Sequence, residues 1–141
     1  MLTPTHRAVV LESRVENVDR AESAAEEFAA AAGFDEPERH RIAMAVREIT
    51  VNAITHGNRC EAGKKVTIDF SVSPQELVIQ IRDQGEGFDA SGLPDPLAPD
   101  NLLRQSGRGI FLARAFMDDV QLLSNANGTE VRMSKHRPGN V

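Results

Sequence analysis

With 141 residues the chain has room for one ordinary domain and not for two full-sized cores. Hydrophobic residues at 40% and charged residues at 26% are the balance of a globular protein, which argues against disorder as the main state. A formal charge of −5 with no long basic run argues against a broad phosphate-neutralising surface, and six Phe without Trp or Tyr leave little for a base-stacking platform.

In chain order, Arg7 to Ser13 is a short β-branched run that predicts a first strand. Ala21, Ala24, Ala25, Phe28, Ala29 and Ala32 then fall on one helical face, with Glu22, Ser23, Glu26 and Glu27 opposite, and Gly33 ends that helix. A second helix begins at Asp35, where Asp35 and Glu38 have capping-box spacing and Pro37 suits an early helical position. Its buried stripe is Ile42, Val46, Ile49 and Ala53, and it should stop near Gly57. Two strands follow: Val66, Ile68, Phe70 and Val72 alternate with polar residues, then Leu77, Ile79 and Ile81 do the same across a turn at Ser73 to Glu76. Asp89 to Ser106 has no periodicity and three prolines, the pattern of a functional lid or a mobile loop. A short helix is expected from about Gly109 to Met117, then a hairpin of Val120 to Ser124 and Thr129 to Ser134. This β-α-α-β-β-loop-α-β-β order predicts an α/β (α+β) two-layer sandwich, helices packed on a mixed, mostly antiparallel sheet. Met44, Met117 and Met133 read as core. Cys60 is the only cysteine, so an internal disulfide and a C-x-x-C metal site are excluded. No stretch approaches the ~20 apolar residues of a membrane span, and Met1 to Val15 has no signal-peptide core, so a cytoplasmic protein is expected.

Four short patterns carry chemistry. Glu48 and Asn52 are four apart on the second helix, about 40° apart round the axis and about 6 Å along it. A carboxylate there can take a proton, and a carboxamide oxygen can ligate a hard cation such as Mg²⁺; the bland reading is a solvated helix face. Asp83-Gln84-Gly85-Glu86-Gly87 follows a buried strand, where Asp83 can accept from an exocyclic amine; a capped glycine turn is the alternative. Gly107-Arg108-Gly109 opens a helix, whose free N–H groups suit phosphate, or else is a hinge. Gly128-Thr129 sits in the last hairpin.

Together and in this order, the four resemble the N, G1, G2 and G3 boxes of the GHKL ATPase superfamily, whose fold is the Bergerat type. The resemblance runs from about Arg7 to Lys135. It is nearest to the anti-sigma factor serine kinases of the RsbW/SpoIIAB type, on VREITVNAITHGN (Val46–Asn58), IRDQGEGFD (Ile81–Asp89) and GRGIFLARAFMDDV (Gly107–Val120). It implies a single ATP-binding kinase domain over residues 1–141, with residues 89–106 as an ATP lid. It implies Glu48 as general base, Asn52 as Mg²⁺ ligand, and Asp83 as acceptor for the adenine amino group. Gly85 and Gly87 would admit the adenine and the lid, Gly107 and Gly109 would hold the phosphates, and Thr129 would support the adenine end. Many superfamily members have Lys before the His of the N box; here Thr55 precedes His56, and Arg108 or Arg104 is the candidate replacement. His56 is expected to cap or pack the helix end. The resemblance further implies ATP-dependent phosphorylation of a STAS-type anti-sigma factor antagonist, binding of a sigma factor, and a homodimer, with no nucleic acid or membrane partner. The alternative is a non-catalytic GHKL nucleotide-binding module controlling another partner.

Overall fold

The structure, a computed structural model, describes residues 6–85, 107–125 and 127–138; the side chains of residues 107, 108 and 125 lie outside that description. The loop 89–106 expected as a lid also lies outside the described residues.

Strands β1 (His6–Glu12), β2 (Lys65–Val72), β3 (Glu76–Arg82), β4 (Asp119–Asn125) and β5 (Gly128–His136) form one sheet in the order β1-β2-β3-β5-β4. All four pairings are antiparallel, so the sheet is uniform where a mixed one was expected. β2–β3 and β4–β5 are joined by tight turns, while β1 reaches β2 through the two helices between them. Helices α1 (Val18–Ala31), α2 (Glu36–Asn52) and α3 (Gly107–Phe116) cover one face. The alternating residues Val66, Ile68, Phe70, Leu77, Ile79 and Ile81 are buried beneath them.

The predicted stripes hold. Ala21, Ala24, Ala25, Phe28, Ala29 and Ala32 of the first helix segment are all buried, as are Ile42, Val46, Ile49 and Ala53 of the second. Alanines on the α1 stripe let its backbone lie close to α2, while Phe28 fills the remaining space by stacking on Phe70 at 5.2 Å between ring centroids. Arg7 lies over the outer face of Phe28 at 5.0 Å and pairs with Glu27 through two hydrogen bonds, of 3.1 and 2.8 Å. Those bonds first, then the guanidinium charge, hold the Glu27 carboxyl below its usual range. Met117 and Met133 are core, but Met44 is only half-buried because it falls outside the α2 stripe.

Asp35 caps α2 as expected, its Oδ1 accepting the Glu38 N–H at 3.0 Å. Asp35→Ala should lower stability by about 1 kcal/mol, read as a drop in thermal midpoint. At its other end the helix does not simply stop. The α-helical ladder ends at Asn52 and a π turn, Ala53–Gly57, follows, in which Asn58 N–H donates to Ala53 C=O at 2.8 Å. The wider turn carries the chain past Gly57 and into two residues of left-handed backbone, Arg59 and Cys60. Such π turns recur at functional sites because they re-aim the residues that follow them.

Candidate functional site

The site grows from the meeting of three chain segments: the π turn after α2, the end of β3, and the β4–β5 hairpin. Asp83 stands where they meet, half-buried. Its backbone N–H donates to Thr129 C=O at 3.0 Å. Its Oδ1 accepts the Gly85 N–H and the Thr129 N–H, each at 3.0 Å. Two lone-pair directions of one oxygen are thereby used, and Oδ2 has no hydrogen-bond donor among the described residues. The carboxylate is held through Oδ1, and Oδ2 keeps its acceptor capacity.

Three glycines make this geometry possible. A Cβ on Gly57 would collide with Asp83 Oδ2 and lie 2.5 Å from Asp83 Cγ. One on Gly85 would strike the Gly57 carbonyl. One on Gly128 would strike the Asp83 carbonyl, and its φ of +142° disfavours any side chain there in addition. The absent side chains let the three segments pack directly against Asp83 and each other. Gly85, expected to admit the adenine, lies against the Gly57 carbonyl.

Glu48 and Asn52 project from α2 one turn apart, both half-buried. Glu48 has neither a hydrogen bond nor an ion pair among the described residues. α3 packs on α2, with Gly109 against Asn52: a Cβ on Gly109 would lie 3.1 Å from Asn52 Nδ2, from Ile49 Cγ1 and from Ile49 N. The small residue at 109 thus suits close packing of α3 on α2. It brings the first turn of α3, headed by Gly107, beside Asn52. Thr129 supports Asp83 through both its backbone groups, and its hydroxyl lies 3.1 Å from Ser124 Oγ.

Other expected residues fall elsewhere. Gly87 and Arg104 lie outside the described residues, as does the side chain of Arg108. Thr55 turns back on its own helix, donating its hydroxyl to Val51 C=O at 2.8 Å. His56 is exposed rather than packed. Sequence reasoning missed Gly57, read only as a helix stop, and Asn58, whose Oδ1 takes the Gln84 N–H at 2.7 Å. The one available signal was their place directly after the helix within the quoted Val46–Asn58 stretch; periodicity says nothing about a contact across 26 residues of sequence.

A histidine kinase-like ATPase domain family matches residues 11–135 of the chain. The chain belongs to that family. Among its relatives, a serine-protein kinase RsbW of Oceanobacillus iheyensis is 33% identical over 110 residues, which covers 74% of this chain and 69% of the relative. An anti-sigma F factor of Clostridium perfringens is 35% identical over 97 residues, 67% of this chain and 69% of the relative. The histidine kinase domain of a blue-light activated histidine kinase from Erythrobacter litoralis shares the fold, with a TM-score of 0.58 at 19% identity over 89% of this chain; the match spans 62% of that structure's chain. Among the described residues, no helix is long and apolar enough to cross a membrane.

ATP is the nucleotide that this ATPase family implies, and Asp83 is compatible with it: Oδ2 is an acceptor without a donor among the described residues, which an exocyclic amine could fill. For Mg²⁺ the donor set is small. No group of three or more His, Cys, Asp or Glu able to hold a metal occurs among the described residues. Asn52 is the residue that would contribute to an ion carried mainly by phosphate and water, which is how Mg²⁺ usually binds.

Proposed function

We propose that the protein is an ATP-dependent serine/threonine protein kinase and anti-sigma factor. Its substrate is a small STAS-type antagonist protein, and its other partner is a sigma factor. It works as a homodimer in the cytoplasm, using Mg-ATP. The relatives named serine-protein kinase RsbW and anti-sigma F factor support this reading. The observation that carries the catalytic half is Glu48, a half-buried carboxylate with no partner among the described residues, one turn before Asn52.

In the transfer, Glu48 accepts the proton of the attacking hydroxyl. That oxygen bonds to the γ-phosphorus while the bond from phosphorus to the β-bridging oxygen breaks, leaving ADP and a phosphoester. Mg²⁺ would supply charge neutralisation on the phosphates when bound. Asp83 orients the adenine, and the first turn of α3 directs backbone N–H groups toward the phosphates. Nucleotide state and phosphorylation of the antagonist then decide which partner is held.

The test is transfer of label from γ-labelled ATP to the STAS proteins of the same genome. One labelled antagonist is expected. ATP binding without any transfer would point instead to a non-catalytic nucleotide-dependent module, and no ATP binding would remove both readings.

A further inference from the structure

We propose that Asn58 is a positioning residue that aims Asp83 and so sets the preference for an amino-bearing purine. The proposal rests on Asp83 being the acceptor for that amine.

Asp83 is a strand end leading into a glycine turn, and such an end is held only by what flanks it. On one side Thr129 fixes it: Asp83 N–H donates to Thr129 C=O, and Thr129 N–H donates to Asp83 Oδ1, both at 3.0 Å. On the other side the next residue is Gln84, whose N–H donates to Asn58 Oδ1 at 2.7 Å. Among the described residues this bond is what ties the backbone just after Asp83 to the helical layer.

Asn58 is built to hold still. It is fully buried. Its own N–H donates to Ala53 C=O and its C=O accepts from Glu61 N–H. Both hydrogens of its amide are used, one on Ser13 Oγ and one on Lys65 C=O, each at 2.9 Å. Ser13 passes its own hydroxyl hydrogen on to Lys64 C=O at 2.6 Å. Gln84 closes the ring by accepting the Lys65 N–H on Oε1, also at 2.6 Å. With two oxygens facing the NH₂ and one N–H facing the oxygen, the amide has one sensible orientation. Asn58 also directly follows Gly57, whose Cα faces the Asp83 carboxylate. One dipeptide therefore sets both the space for the carboxylate and the backbone that carries it.

A residue that only stabilises the fold would weaken every nucleotide alike when removed. A residue that aims Asp83 would weaken only the nucleotide whose amine Asp83 reads. ATP and ITP differ at that position: ITP has a carbonyl where ATP has the amine. Calorimetric titration of the full chain with Mg-ATP and Mg-ITP separates the cases. The unmodified protein should prefer ATP by about ten- to a hundredfold, the usual worth of a hydrogen bond to a charged group. Asn58→Ala should cut that preference to within about threefold by weakening ATP, with ITP nearly unchanged. Ser13→Ala, which loosens the far end of the network but leaves the bond to Gln84, should keep the preference. Asn58→Ser, polar but too short to reach Gln84, gives the same pattern as alanine if the alanine variant is too unstable to titrate.

Retained preference in the Asn58 variants overturns the assignment, even if their thermal midpoints fall. Equal loss in Ser13→Ala overturns it as well, since the effect would then follow stability. An unmodified protein that binds ATP and ITP equally removes the Asp83 assignment on which the proposal rests. One that binds neither removes the ATP reading as a whole.

Discussion

Glu48→Gln should lower phosphoryl transfer by about 10²- to 10⁴-fold, the usual contribution of a general base. The substitution keeps the shape of the side chain and removes its ability to take a proton. Glu48 has no ion pair or hydrogen bond among the described residues, so the fold loses nothing when its charge goes. The thermal midpoint should stay close to that of the unmodified protein, because a half-buried side chain without partners contributes within about 0.5 kcal/mol. ATP affinity should also hold, since the proposed function assigns the adenine end to Asp83 and the phosphate end to Asn52 and the first turn of α3. Single-turnover transfer of label, alongside calorimetric titration with ATP, separates the two properties. Unchanged transfer would reduce Glu48 to a surface carboxylate. Lost ATP affinity with transfer falling in proportion would move it to the metal site.

The parts of the molecule that were legible in the sequence are those governed by repetition. The alanine face of α1 and the alternation in β2 and β3 are periodic over many residues, and burial follows period. The Asp35 cap was legible because a cap and its target are three residues apart. Legibility fails where a constraint acts between distant segments. A Cβ on Gly57 would collide with Asp83 and one on Gly85 with the Gly57 carbonyl, while one on Gly109 would press on α2. Each looks in sequence like a loop or ligand glycine, and only packing says which neighbour demands it. The π turn was hidden for a related reason: one extra residue in a turn leaves the apolar stripe intact and changes only where the next residues point. Glu48, Asn52 and Asp83 stand out as a sequence pattern, but the clamp that holds Asp83 does not. It is made of backbone groups and of one asparagine that periodicity does not mark.

Gly57→Ala should abolish measurable ATP preference, with a loss of affinity of about a hundredfold, and should do so without touching any group that contacts the phosphates. The added methyl would collide with Asp83 Oδ2 and lie 2.5 Å from Cγ, so carboxylate and methyl cannot both stay. The carboxylate has little freedom to give, because Oδ1 is held by two backbone N–H groups at 3.0 Å each. Rotating it away breaks those bonds; shifting the π turn instead disturbs Gly85, which abuts the Gly57 carbonyl, and Asn58, which is fully buried. Either route also costs stability, by about 1–3 kcal/mol, as overpacking usually does. Asp83→Asn supplies the comparison. Its amide keeps an oxygen for the two N–H donors and adds no volume, so the fold should be nearly unaffected, while the atom at Oδ2 becomes a donor facing the ligand's amine. Affinity for ATP should fall about ten- to a hundredfold there with the thermal midpoint preserved. Calorimetry and thermal melts on both variants check the argument together. A Gly57→Ala protein that binds ATP normally would mean that the π turn yields at no cost, and that the close fit of Gly57 against Asp83 has nothing to do with holding nucleotide.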